Sequence, residues 1–173
     1  VQDHTFTQSA IRRGLVTHDT VQTLGSSVTT GGNLQLNAGR DLAVVASKVD
    51  AGHDLSLNAK RDIVIASAQD EQSSTSYQKK KGSWGKSKTT QSADSSTTNV
   101  ASEISAGHDL MVNVSQDQDG RISLNGGRDV TVVGSQLKAG NDLLVGATRD
   151  VSLVSAQEQH DSSYSQKKKG SFG

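Results

Sequence analysis

The chain has 173 residues, with 18 Lys and Arg against 18 Asp and Glu, so its formal net charge is zero. It contains no Cys, which excludes a disulfide-stapled scaffold, a thiolate zinc site and a cysteine nucleophile. Zero net charge argues against a general nucleic-acid binder, and no apolar run approaches the ~20 residues that span a bilayer. No signal peptide is visible and the first residue is Val1, so we expect the chain to be a fragment of a longer protein.

Short apolar runs begin after a weakly patterned start. Residues 1–30 show little regularity, and we predict one irregular leading coil there. Residues 31–68 carry runs with apolar side chains at alternate positions, such as Leu55 with Leu57 and Ile63 with Ile65. This is the period of a β-strand. Gly-Arg-Asp and Gly-His-Asp sequences separate the runs and favour turns.

A polar insertion interrupts the pattern at residues 69–100, which are rich in Ser, Thr, Gln and Lys. Two polar arms flank a Gly-containing centre at 82–85, which is typical of a hairpin loop. The composition fits a disordered loop nearly as well, because such residues bury little surface. The apolar runs resume over 101–156, and a second, truncated insertion follows over 157–173.

Two repeats, one inside the other, predict the fold. Residues 39–85 align without gaps to 127–173, at an offset of 88 residues, and shorter apolar runs recur after 21 positions. Short strands and sharp turns at a constant ~20-residue period predict an all-β protein whose whole length, 1–173, is a single parallel β-helical segment with hairpin or loop insertions. An up-and-down barrel or a β-sandwich is the competing architecture.

Aliphatic ladders would form the core of such a β-helix, and each coil would contact only neighbouring coils of the same parent chain. One face would carry Leu34, Leu55, Leu110, Ile122 and Leu143, followed by Leu36, Leu57, Val112, Leu124 and Val145. Another would carry Leu42, Ile63, Val130 and Val151, followed by Val44, Ile65, Val132 and Leu153.

Lysines gather with one aromatic residue in each insertion. They are Lys79, Lys80, Lys81, Trp84, Lys86 and Lys88 in the first, and Lys167, Lys168, Lys169 and Phe172 in the second. Two interpretations stay open. Lys on an exposed strand edge blocks strand addition and need not bind anything. Alternatively, these residues contact an anionic surface, such as lipopolysaccharide phosphate or acidic lipid, with the aromatic ring at the interface.

No residue pattern points to catalysis, a metal or a cofactor. His53 and His108 occupy matched turns in which Asn stands in other copies, and this favours hydrogen bonding over metal ligation. Asp recurs in almost every turn, whereas a glycosidase needs two carboxylates that converge in one cleft. We therefore expect no enzymatic activity, and a β-helical carbohydrate-active enzyme is the remote alternative.

The Ala-Gly-Arg-Asp-Leu and Ala-Gly-His-Asp-Leu turns, the stretch at 65–69 and the Lys-Lys-Lys-Gly-Ser-Trp-Gly stretch at 79–85 resemble filamentous haemagglutinin repeats. They resemble most the second repeat block of contact-dependent growth inhibition toxins. The resemblance covers 31–173 and is weak over 1–30. It implies a right-handed β-helical stalk on the bacterial surface, associated with the outer membrane, in a large exoprotein exported by the outer-membrane transporter of two-partner secretion.

For the growth-inhibition members, the resemblance also implies engagement of the target cell's outer membrane during delivery of a C-terminal toxin. The alternative is a passive spacer or adhesin stalk with no binding role of its own.

Overall fold

The computed structural model describes residues 2–83, 85–116, 122–124 and 127–170, and all of its regular elements there are β-strands. The predicted all-β class is confirmed. The first strands are β1 (Gln2–Ile11), β2 (Gly14–Thr23), β3 (Ser27–Thr30), β4 (Leu34–Ala38), β5 (Leu42–Val45), β6 (Lys48–Ala51), β7 (Leu55–Ala59), β8 (Asp62–Ala66), β9 (Ala68–Lys81) and β10 (Ser87–Val100). They are followed by β11 (Glu103–Ala106), β12 (Leu110–Val112), β13 (Val114–Gln116), β14 (Ile122–Leu124), β15 (Asp129–Val133), β16 (Gln136–Ala139), β17 (Leu143–Val145), β18 (Asp150–Val154) and β19 (Gln159–Lys169).

Residues 24–68 and 99–157 form one of two compact units. This unit contains three four-stranded parallel sheets, in the orders β3-β6-β11-β16, β4-β7-β12-β17 and β5-β8-β15-β18. Consecutive strands enter the three sheets in turn. Leu34 therefore pairs with Leu55, at the offset of 21 residues that the short repeat predicts.

Rows of aliphatic side chains run across each parallel sheet, because paired strands keep the same register. The rows that contain Leu55, Leu57, Ile63 and Ile65 have the predicted register, with the exception of Ile122 and Leu124. A further row in the first sheet comprises Val28, Val49, Ile104 and Leu137. The fully buried aliphatic side chains are Leu55, Leu57, Ile63, Ile65, Ile104, Leu110, Val112 and Val130.

Three predicted core residues are exposed instead. Leu143 and Val151 are each 46% exposed and Leu153 is 70% exposed. They keep their places in the rows, but β17 and β18 are end strands of their sheets and have a neighbour on one side only. The missing neighbour leaves these three side chains uncovered on one side, whereas Val44, on the end strand β5, remains buried.

The prediction for Ile122 and Leu124 is wrong in register. Both belong to β14, which pairs antiparallel with β13, so that Val114 lies opposite Leu124. Both β12 and β14 match the short repeat, but the sheet β4-β7-β12-β17 has only one position for a strand between β7 and β17. The segment that directly follows β11 through a Gly-His-Asp turn takes that place as β12, and the other folds back on β13.

Asn113 is a fully buried polar residue directly before this excursion, and its φ is +58°. Its N–H donates to the Leu57 carbonyl at 2.7 Å. Its side-chain Nδ2 donates to the Gly146 carbonyl at 3.2 Å, and its Oδ1 accepts the Gly127 N–H at 3.2 Å. The amide thus satisfies backbone groups that the change of chain direction leaves without ladder partners.

The second unit comprises residues 1–23, 69–98 and 158–173. It contains a five-stranded sheet in the order β1-β2-β9-β10-β19, with antiparallel pairing of β1 with β2, β2 with β9, and β10 with β19. Residues 2–23 are therefore a β-hairpin and not the predicted irregular leading coil. They lack the aliphatic recurrence of the coils and instead present two ten-residue arms around a two-residue turn.

Candidate functional site

Ten of the 18 basic residues lie at one end of the antiparallel sheet, where its chain reversals occur. They are Arg12 and Arg13 in the β1–β2 turn, Lys79, Lys80 and Lys81 at the end of β9, Lys86 and Lys88 at the start of β10, and Lys167, Lys168 and Lys169 at the end of β19. We call these ten residues the cationic end. All ten are exposed.

The strand register aligns three of these lysines on neighbouring strands. Lys88 lies directly opposite Lys168 in the antiparallel pair of β10 and β19. The Gly82 N–H donates to the Lys86 carbonyl at 2.8 Å where β9 reverses into β10. That register places Lys80 opposite Lys88, so the three side chains project from the same face of the sheet. We call Lys80, Lys88 and Lys168 the lysine row.

The lysine row lines a shallow hollow of about 300 Å³. The other residues around this hollow are Lys81, Gly82, Lys86, Ser87 and Lys169. Directly opposed side chains on adjacent strands are ~5 Å apart at Cβ, and like charges at such positions destabilise a sheet. An anion bound between the opposed ammonium groups would relieve this repulsion.

Carboxylates do not neutralise the cationic end. The nearest along their own strands are Asp19 in β2, Asp94 in β10 and Asp161 in β19, each six residues from a residue of the cationic end. Six residues of extended strand span roughly 20 Å, whereas the Debye length at physiological salt is ~8 Å. Among the described residues, no ion pair involves the cationic end.

The structure brings all eight predicted lysines of the two insertions to one end of one sheet. Trp84 and Phe172, the predicted aromatic partners, lie outside the described residues. Arg12 and Arg13 were not predicted to belong to this site. Their signal in the sequence is Gly14 directly after two adjacent basic residues, which is typical of an exposed turn.

The repeated Gly-His-Asp and Gly-Asn-Asp turns stack through hydrogen bonds. Asp54 Oδ1 accepts the Asp109 N–H at 3.4 Å, and Asp109 Oδ1 accepts the Asp142 N–H at 3.2 Å. His108 Nδ1 lies 3.2 Å from Asp54 Oδ1 and 3.4 Å from Asp109 Oδ2. Among the described residues, one group of side chains is close enough to hold a metal ion, and it comprises Asp54, His108 and Asp109. However, both of its carboxylates already accept a backbone N–H of the next turn. Their contacts are those of turn-forming residues.

The turns that contain an Arg-Asp pair, two of which are Gly-Arg-Asp, stack through ion pairs. Arg61 pairs with Asp41, Arg128 with Asp62 at 2.9 Å, and Arg149 with Asp129. Each Arg thus reaches the Asp of a neighbouring turn. Hydrogen bonding from Arg61 holds the pKa of Asp41 below its usual value, and Arg149 does the same for Asp129. Asp41 and Asp129 are therefore ionised at neutral pH, and the three ion pairs join successive turns.

The described part of the chain includes no helix with the length and apolar character needed to cross a membrane. No curated protein and no solved structure matches the chain significantly. The family model of the hemagglutinin repeat matches residues 15–87 and 82–173, which together cover most of the chain. The chain belongs to the hemagglutinin repeat family.

Proposed function

We propose that this chain is a non-enzymatic stalk segment of a contact-dependent growth inhibition exoprotein, and that its cationic end contacts the outer membrane of a target cell. Hemagglutinin repeats are structural repeats of large secreted adhesins and two-partner exoproteins. The observation that supports contact with the outer membrane is the cationic end, where ten exposed basic residues lie without a neighbouring carboxylate. Export by an outer-membrane transporter is part of the same proposal.

A right-handed parallel β-helix is the architecture that we propose for the stalk. Each successive set of three strands adds one strand to each of three parallel sheets, which supports a chain that winds about an axis. Connections between parallel strands of one sheet are right-handed in ~98% of cases. The contacts of the recurrent Asp residues support a structural role for them in this winding. They accept hydrogen bonds from the backbone of a neighbouring turn or form an ion pair with its Arg side chain.

The charge of the cationic end is sufficient for reversible binding to an anionic membrane. Each Lys or Arg near such a surface contributes about 1 kcal/mol. If three of the ten residues reach the surface at once, the contribution is ~3 kcal/mol, which corresponds to more than a hundredfold in affinity. The contribution falls with ionic strength, because the attraction extends over about one Debye length.

Binding of the purified chain to intact Gram-negative cells and to outer-membrane vesicles tests the proposal. We expect saturable binding that weakens at high salt and is lost in the triple variant Lys79→Gln, Lys80→Gln, Lys81→Gln. The control, Lys48→Gln, Lys60→Gln, Lys138→Gln, removes the same charge from exposed positions outside the cationic end, two of which pair with Glu103. Circular dichroism verifies that both variants fold.

Equal binding by both triple variants would contradict membrane contact through the cationic end. Absence of binding at any salt concentration would favour the passive spacer. The exposure of all of β19 supports that alternative, since Lys residues on an edge strand discourage pairing with another strand.

A further inference from the structure

We propose that the lysine row, Lys80, Lys88 and Lys168, binds adjacent phosphate groups of a phosphorylated ligand. This inference rests on the proposed function, because the lysine row is part of the cationic end, and it names the chemistry of the ligand. The shared chemistry is a pair or a short series of phosphates, whether they belong to lipid headgroups or to a soluble polyphosphate.

Charge density favours phosphate over carboxylate at this position. The row places three ammonium groups on three adjacent strands, and neighbouring strands are ~4.8 Å apart. A phosphomonoester carries a charge of about −1.5 to −2 at pH 7, so one phosphate between two lysines neutralises both of them. A carboxylate carries one negative charge and would leave an excess positive charge. Lysine is also a common phosphate ligand, acting as a compact point charge.

The row is specific to one face of the sheet. On the opposite face, Thr89 lies across from Lys167, and the register places Thr89 between that lysine and Lys79. The lysines of that face are therefore separated by two strand spacings. The lysine row, with lysines on three consecutive strands, is therefore confined to one face of the sheet.

An anion in the row would also stabilise the fold. Lys88 and Lys168 are directly opposed, and their repulsion destabilises the sheet in the absence of a ligand. A ligand that binds the folded chain and not the unfolded chain raises stability with its concentration. A phosphorylated ligand should therefore raise the melting temperature beyond the general effect of ionic strength.

The test measures melting temperature and affinity for the full chain with sodium tripolyphosphate, against sodium chloride of equal ionic strength. We expect tripolyphosphate alone to raise the melting temperature of the wild type. The variant Lys80→Gln, Lys88→Gln, Lys168→Gln should bind it about a hundredfold more weakly, at roughly fivefold per lysine. No extra stabilisation by tripolyphosphate would overturn the inference.

A charge-neutral rearrangement provides the matched control. The double variant Lys88→Thr, Thr90→Lys moves one lysine two residues along the same face of β10, where it lies opposite Gln166. It keeps the net charge of the sheet but breaks the row. We expect at least a fivefold loss of affinity for tripolyphosphate. Affinity equal to the wild type would show that total charge suffices, and it would overturn the role of the row.

Vesicles distinguish the two sources of phosphate. Binding to phosphatidylcholine vesicles that contain phosphatidic acid, with displacement by tripolyphosphate, would assign the row to lipid phosphate. Binding to tripolyphosphate alone would assign it to a soluble ligand. Cell binding that survives the Lys88→Thr, Thr90→Lys rearrangement and excess tripolyphosphate would refute the phosphate inference and leave the proposed function intact. Tripolyphosphate binding without cell binding would support the phosphate inference and refute the proposed contact with the target cell.

Discussion

The buried rows of the parallel sheets make a quantitative prediction at Leu57. This side chain is fully buried in the row between Leu36 and Val112, with one strand on each side. Leu57→Ala removes the equivalent of about three methylene groups, which corresponds to ~2.4 kcal/mol of transfer free energy. The neighbouring strands are held in register by their hydrogen bonds, so we expect little collapse around the cavity and a total loss of ~3–4 kcal/mol.

Leu153→Ala is the matched control, because the same side chain in another row is 70% exposed. We expect it to change the free energy of unfolding by less than about 1 kcal/mol. Urea denaturation followed by far-UV circular dichroism measures both variants. Leu57→Asp should be more damaging than Leu57→Ala, since the carboxylate would be buried with no partner. Equal losses for the two alanine variants, or an unchanged transition for Leu57→Asp, would refute the assignment of the rows to the core.

Three further predictions concern charge and backbone conformation. The pKa values of Asp41 and Asp129 are lowered in the fold, so their ion pairs should stabilise the chain fully above their ordinary pKa of 3.8. The free energy of unfolding should therefore decrease as the pH falls from 3.8 through the lowered values, and an increase in this free energy at acid pH would contradict the ion pairs. Asn113→Asp places a carboxylate against the Gly146 carbonyl and should lower the free energy of unfolding at pH 7, measured by urea denaturation, by ~2–4 kcal/mol. Asn37→Asp keeps the exposed oxygen that accepts a hydrogen bond from Asn58, so this variant should change the free energy of unfolding little. Arg13 has a φ of +63°, so Arg13→Gly should raise the melting temperature through relief of about 1 kcal/mol of strain while it weakens binding to anionic vesicles.

The parallel sheets could be predicted from the sequence because their register is a property of its period. Leu34 and Leu55 are 21 residues apart and are paired. The same reasoning failed at Ile122, where a second segment with the correct period competes for a place that β12 already occupies. Periodicity identifies candidates for a place in a sheet, but the connection to the preceding strand decides between them.

Polar contacts inside the parallel unit were not predictable in the same way. Ser102 is fully buried, and its Oγ donates to the Ala66 carbonyl at 2.7 Å and accepts the Ser47 N–H at 3.2 Å. Ala66 and Ser102 are far apart in sequence because the polar insertion lies between them. The residues next to Ser102 in the sequence do not distinguish it from the other serines of the chain, so its hydrogen bonds to the backbone at Ser47 and Ala66 could not be predicted.

The candidate site was predictable in composition but not in geometry. The lysines of the insertions were identified as clusters in the sequence, whereas the row depends on which residue of β10 lies opposite which residue of β19. Lys88 and Lys168 are separated by 80 positions, and only the strand register places them opposite each other. A shift of that register by one residue would place Lys88 opposite Lys167 or Lys169 and would still oppose two lysines. The three consecutive lysines of β19 therefore keep positive charge opposite β10 even where pairing varies.

Two features of the cationic end oppose the stability of the antiparallel sheet. Lys88 faces Lys168 directly, and Arg13 occupies the left-handed region in a turn where Gly would be unstrained. The neighbouring pair of Thr89 and Lys167 in the same two strands avoids like-charge opposition, so the sheet does not require two lysines to face each other. Local rules are broken most often where a site has a function. The coincidence of repulsion and backbone strain at one end of the sheet supports the proposed anionic ligand, because protection of an edge would require only dispersed lysines.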